Sequence, residues 1–223
     1  MKNKKGKIFS FKYFLFDFVR VTGAIPALVA YRVKKLYVTP AAKKKIKGGA
    51  ILASNHIGFF DVSYLMTAVW YRRLHFVTIK EVYENKWSRM WFKHFTNVVA
   101  IDRENTSMSS MREIVSLLNA GKVVGIFPEG HINENDATKT IGEYKSGAVL
   151  MAIMSGKPII PVYISPRKSC WERIKIVFGE PIYVDEEERK KSPLAYRLTL
   201  AQLLYDREKE LQEFCERKYG KRN

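Results

Sequence analysis

His56 and Asp61 stand five positions apart and form the first pair in this chain whose types suit proton transfer. On a regular helix, at roughly 100° per residue, they would diverge by about 140°, so they can meet only across a strand-to-helix turn. Gly58 between them supplies the backbone freedom for one. In that arrangement Asp61 accepts the Nδ1 proton, fixes the tautomer and stabilises the imidazolium, which leaves Nε2 to take a proton from a hydroxyl. The spacing alone is equally served by a buried histidine beside an aspartate that caps a helix. Phe127-Pro128-Glu129-Gly130 reads as a tight loop. It either offers Glu129 and backbone N–H groups to an anionic or acyl group, or is an ordinary turn with a solvated glutamate. Ile101-Asp102-Arg103 ends in a guanidinium that either grips a phosphate bidentately or pairs with Asp102 or Glu104.

Other chemistries lack their residues. The chain has no GxGxxG dinucleotide fingerprint and no GxSxG nucleophile elbow. Gly142–Gly147 begins like a phosphate-binding loop, but Ala148-Val149 follow where Lys and Ser/Thr are required. His56, His75, His94 and His131 show no paired-ligand spacing and no nearby cysteine, so no metal is expected. Cys170 and Cys215 are isolated and are read as free thiols.

Alternating apolar runs and helical patterns must position these groups. Strands are expected at Ala50–Ala53, His75–Ile79, Val98–Ile101, Val123–Phe127, Ile159–Ile164 and Ile174–Phe178. Helices are expected at Asp61–Trp70, Lys86–Phe95, Ser107–Asn119, Ser146–Met154 and about Pro193–Arg217. For Ser107–Asn119 the buried stripe is read as Met108, Met111, Val115 and Leu118, with Gly121 as the stop. For the last helix it is read as Leu194, Leu198, Ala201, Leu204, Leu211 and Phe214. The alternation predicts an α/β fold with a mainly parallel central sheet flanked by helices, its sites gathered at strand carboxyl ends.

Taken together and in order, these blocks resemble the glycerolipid acyltransferase family. NHxxxxD is Asn55–Asp61, and the block usually written GxxFIDR is Asn97-Val-Val-Ala-Ile-Asp-Arg103. FPEG is Phe127–Gly130, and the apolar-proline block is Ile159-Ile160-Pro161-Val162. An aromatic-Lys-x-Gly-Ala element (Tyr144–Ala148) and a Lys-x-acid region at Lys80-Glu81 match as well. The likeness covers about residues 48–185. It implies that His56 deprotonates an acceptor hydroxyl, which attacks the thioester of acyl-CoA or acyl-carrier protein, with Asp61 orienting His56. Arg103, with Lys80, would hold the acceptor phosphate, while Glu129 and Gly130 shape the acceptor side. The family usually continues FPEG with Thr-Arg-Ser. Here His131-Ile132-Asn133 follow, so His131, Lys139 or Lys145 must stand in for that Arg, or the acceptor differs. Asn97 also replaces the usual Gly. The implied product is phosphatidate, made from lysophosphatidate in phospholipid biosynthesis. Glycerol 3-phosphate or another lysolipid is the alternative acceptor, and no cofactor is implied beyond the acyl donor.

The charge distribution suits a surface-acting enzyme. The chain of 223 residues carries 39 Lys+Arg against 22 Asp+Glu, a net +17. Residues 1–47 hold thirteen basic residues against the single acid Asp17, so most of the excess lies there. Between the lysines run apolar and aromatic stretches, interrupted by charges and by Pro26. No uncharged run reaches the roughly 18–20 apolar residues of a transmembrane helix, and no secretory cleavage pattern follows. Short interfacial helices on an anionic leaflet fit both features. The expected organisation is a basic amphipathic membrane-anchoring segment at 1–47 and an acyltransferase domain at 48–223. The protein would then sit on the cytoplasmic face of the membrane. A nucleic-acid-binding module would also explain the charge, but no RNA- or DNA-binding motif is present.

Overall fold

The computed structural model describes residues 18, 22–23, 26, 29–79, 99–101, 108–130, 141, 144, 146–167 and 172–219. Seven strands run in chain order as β1 (Lys34–Tyr37), β2 (Ala50–Ser54), β3 (Leu74–Ile79), β4 (Val99–Ile101), β5 (Val123–Ile126), β6 (Ile159–Ile164) and β7 (Lys175–Phe178). The helices are α1 (Asp61–Ala68), α2 (Met108–Asn119), α3 (Gly147–Ser155), α4 (Glu186–Lys191) and α5 (Pro193–Tyr219). The strands form one sheet in the order β1-β7-β6-β2-β5-β3-β4.

Every neighbouring pair is parallel except β6 with β7, so the sheet is mixed, and β1 and β7 run against the other five strands. Only ten residues separate Ile164 from Lys175, fewer than the crossover a parallel pair needs, so the pair is antiparallel. β1 was not expected: its sequence Lys-Lys-Leu-Tyr carries two charges, and only Leu36 is buried. It pairs with β7 from Lys34 to Tyr37, so the sheet draws an edge strand from within the first 47 residues. The expected helix Lys86–Phe95 lies outside the described residues.

Two apolar layers cover the sheet, which is why its central strands are continuous apolar runs. Along β2, Ala50 and Leu52 face one layer with Leu65 and Ala68 of α1, while Ile51 and Ala53 face the other with Ile114, Ala152 and Leu204. Side chains alternate across a strand with period two, so these four residues serve both layers. In α2 the buried stripe is Ile114 and Leu118, while Met111 and Val115 are half-buried. Gly121 adopts φ 78° and ends that helix as expected.

The stripe of α5 is corrected more sharply. Leu200, Leu204, Glu208, Leu211 and Cys215 are buried, whereas Leu194 and Leu198 are exposed. These five keep helical spacing, but a glutamate occupies the middle of the apolar face.

Candidate active site

β2, β5 and β6 lie side by side with parallel strand directions, so their carboxyl ends share one edge of the sheet. The chain leaves β2 through Asn55 and His56. Asn55 is fully buried and behaves as an extra rung of the sheet. Its Nδ2 donates to the Ile164 carbonyl at 3.0 Å, and its Oδ1 accepts from the Ile164 N–H at 2.8 Å. The residue before His56 is thereby pinned to the end of β6, 109 positions away.

The expected turn forms. Asp61 N–H donates to the Gly58 carbonyl, and Asp61 becomes the first residue of α1. Its carboxylate does not cap that helix. It turns back, and Oδ2 accepts from His56 Nδ1 at 2.8 Å, Ile57 N–H at 2.7 Å and Gly58 N–H at 2.9 Å. Three donors on one oxygen hold it as an acceptor, and that orients the proton of His56 on Nδ1. Asp61 is 1% exposed and His56 17%, so the carboxylate is shielded while the imidazole retains an open side. A negative group at the start of α1 also complements the helix dipole.

A second device fixes the ring plane. Phe127 of the FPEG turn stacks on the His56 imidazole, with centroids 4.1 Å apart and planes 16° from parallel. Phe127 stacks in turn on Phe76 of β3, at 6.2 Å and 14°. Gly125 makes room for this ladder, because a Cβ there would lie 2.4 Å from Phe76 Cε1. The turn itself closes with Gly130 N–H donating to the Phe127 carbonyl at 3.1 Å, and Gly130 takes φ 73°, a conformation costly for other residues. Glu129 is fully buried, not the solvated side chain of an ordinary turn.

Beside the pair lies a pocket of about 120 Å³, lined in part by Ile57, Gly58, Tyr64, Ser165 and Arg167. Phe59 and Phe60 flank it and are 71% and 52% exposed. A larger cavity of about 420 Å³ lies between β7 and α5 and contains none of the expected site residues. Thus His56, Asp61, Glu129 and Gly130 converge on one sheet edge. Lys80, Arg103 and Lys145 lie outside the described residues. Arg167, Phe59 and Phe60 were missed, and only the Phe-Phe dipeptide inside NHxxxxD carried a usable signal. Among the described residues no cluster of His, Cys, Asp and Glu suits a metal ion.

A family model described as Acyltransferase matches residues 30–165. The chain is similar to the 1-acyl-sn-glycerol-3-phosphate acyltransferase of Bacillus subtilis (strain 168), 31% identical over 140 residues, which covers 60% of this chain and 67% of the relative. It is also similar to the protein of that name from Streptococcus pneumoniae (strain ATCC BAA-255 / R6), 29% identical over 142 residues, covering 61% and 51% respectively. The chain thus spans two thirds of one relative and about half of the other. The crystal structure of the 1-acyl-sn-glycerophosphate (LPA) acyltransferase PlsC from Thermotoga maritima shares the fold, with a TM-score of 0.58 at 16% identity over 92% of this chain and 86% of that one. The match over residues 30–165 takes in the His56–Asp61 turn, the FPEG turn and β6, and on that ground the chain belongs to the acyltransferase family of enzymes.

Proposed function

We propose that the protein transfers a fatty acyl group from acyl-CoA or acyl-carrier protein to the free hydroxyl of lysophosphatidate, yielding phosphatidate for phospholipid synthesis. The observation that carries this reading is the His56–Asp61 pair at 2.8 Å, with an open imidazole face beside an aromatic rim. His56 Nε2 takes the proton as the acceptor oxygen attacks the thioester carbonyl. The tetrahedral centre then collapses, the C–S bond breaks, and the proton on Nε2 passes to the departing thiolate. No covalent acyl-enzyme is required, because a thioester is already activated. The names of the relatives support lysophosphatidate as acceptor. Ile132, where the family usually has Arg, favours keeping glycerol 3-phosphate and other lysolipids as the alternative.

The working surface is proposed to be an anionic leaflet on the cytoplasmic side. Exposed Phe59 and Phe60 beside the pair, and the basic excess in residues 1–47, both support that placement. Among the described residues, no helix is long and apolar enough to cross a membrane. The acylation test follows labelled donor into phosphatidate with wild type and His56→Ala, using lysophosphatidate and glycerol 3-phosphate in parallel. Turnover with lysophosphatidate should fall by about 10²–10⁴-fold in His56→Ala, the usual span for a lost general base. Turnover by folded wild type with neither acceptor would sink the reading. Flotation with anionic vesicles tests the surface: Lys2, Lys4, Lys5 and Lys7 changed to Glu should weaken binding, and undiminished binding would remove the anchor assignment.

A further inference from the structure

Helix α5 presents one carboxyl where its apolar stripe should continue. Glu208 is fully buried, with Leu204 and Leu211 on the same face. An ionisable group so placed is costly unless partnered, and its partners come from other elements. Oε2 accepts the hydrogen bond from the Tyr144 hydroxyl. The carboxyl also accepts from the backbone N–H of Asn55, the residue immediately before His56. Glu129 of the FPEG turn lies near enough for its charge to act on both Glu208 and Tyr144. Asn55, Glu129 and Tyr144 belong to three separate sequence blocks, and Glu208 to none.

We propose that Glu208 is a positioning residue for the acyl-transfer site: its buried carboxyl joins Tyr144 to the Asn55 N–H and so sets where the His56 turn begins. The proposal rests on the acyl-transfer reading above. Burial pushes the Glu208 carboxyl well above the usual range; the Tyr144 hydrogen bond opposes that rise and the charge of Glu129 adds to it. Oε2 carries the Tyr144 bond, and Oε1 is a buried atom without a hydrogen-bond partner among the described residues. The groups facing Glu208 are therefore Tyr144 ahead of α3, Glu129 after β5 and the Asn55 amide after β2. Asn55 is already clipped to Ile164 through its side chain. The contact from α5 adds a second, independent constraint on the same residue, now on its backbone.

Glutamine keeps an acceptor oxygen for the Oε2 site and carries no charge. Methionine keeps the bulk and removes the acceptor. In the full chain, Glu208→Gln should retain kcat within about threefold, while Glu208→Met should lose about 10²-fold with KM nearly unchanged, the scale expected for an ångström of misplacement. Tyr144→Phe should fall between them. Thermal unfolding checks that each variant is folded, and nitrogen-labelled histidine spectra report the His56 Nδ1 proton without any substrate. That resonance should persist in Glu208→Gln and shift or vanish in Glu208→Met. Wild-type kcat and an unmoved resonance in folded Glu208→Met would overturn the proposal. So would Glu208→Gln as inactive as Glu208→Met, since charge and not position would then be the requirement. If Glu208→Met does not fold, Tyr144→Phe decides: a wild-type rate with an unmoved resonance overturns the proposal. Absence of acyl transfer by the wild type would instead fail the underlying reading, and the spectra would still test Glu208.

Discussion

Replacing Asp61 with Asn separates the charge of the pair from its geometry. In many histidine–carboxylate pairs the amide rotates and donates to the ring, which leaves the histidine in the wrong tautomer. Here Oδ2 receives two backbone N–H groups at 2.7 and 2.9 Å as well as His56 Nδ1. An NH2 group at that position would face three donors, so the amide oxygen must take it and the tautomer survives. What is lost is the attraction between carboxylate and imidazolium. With charge centres about 4 Å apart and an effective dielectric near 20, that attraction is about 4 kcal/mol. Tenfold in rate corresponds to about 1.4 kcal/mol, so kcat should fall by about 10³-fold. The NH2 would occupy the Oδ1 site, which is buried and has no hydrogen-bond partner among the described residues, at a cost of about 1–3 kcal/mol in stability. The assay is phosphatidate formation by Asp61→Asn, with denaturant unfolding and the Nδ1 proton resonance measured on the same sample. A folded variant within about tenfold of wild type would refute the charge argument. Loss of the Nδ1 proton would refute the geometric one, because it would mean that the amide had rotated.

Three further outcomes follow from the same geometry. Asn55→Ala removes both hydrogen bonds to Ile164 and leaves buried backbone groups unpaired, so denaturant unfolding should show a loss of about 2–4 kcal/mol. A loss under about 0.5 kcal/mol would mean that the clip to β6 is dispensable. Phe127→Leu keeps the apolar volume but removes the stack on His56, worth about 0.5–1.5 kcal/mol, and should lower kcat by about threefold to tenfold with little change in KM. An unchanged kcat would show that the ring plane is held by Asp61 alone. Glu208 has its carboxyl pKa raised in the folded state, first by burial, so the folded protein binds a proton that the unfolded chain releases. Stability should therefore be highest below the unfolded carboxyl value of 4.5 and decline as pH rises towards the folded value. Glu208→Gln should flatten that decline in denaturant titrations run from about pH 4 to pH 8, and an identical slope in wild type and variant would show that Glu208 is not its source.

The site was legible in the sequence where its chemistry is local. His56, Gly58 and Asp61 sit within six residues, and the Pro-Glu-Gly turn within four, so residue type and spacing predicted their shapes without distant contacts. Uninterrupted apolar runs likewise marked the central strands, and β6 was expected over the same Ile159–Ile164 that it occupies. Elsewhere the outcome depended on partners far along the chain. The Lys-Lys-Leu-Tyr segment is a strand because β7 offers it an edge, not because its residues favour one. Phe127 faces His56 because β5 and β2 are neighbours, and because Gly125 lets Phe76 pack beneath it. The stripe of α5 turned on Glu208, a residue type seldom fully buried unless it is paired. Only the folded chain brings the Tyr144 hydroxyl and the Asn55 amide to that carboxyl. A buried polar group is stable only where its hydrogen bonds are met, and those partners are supplied by tertiary contact, which composition and periodicity do not encode.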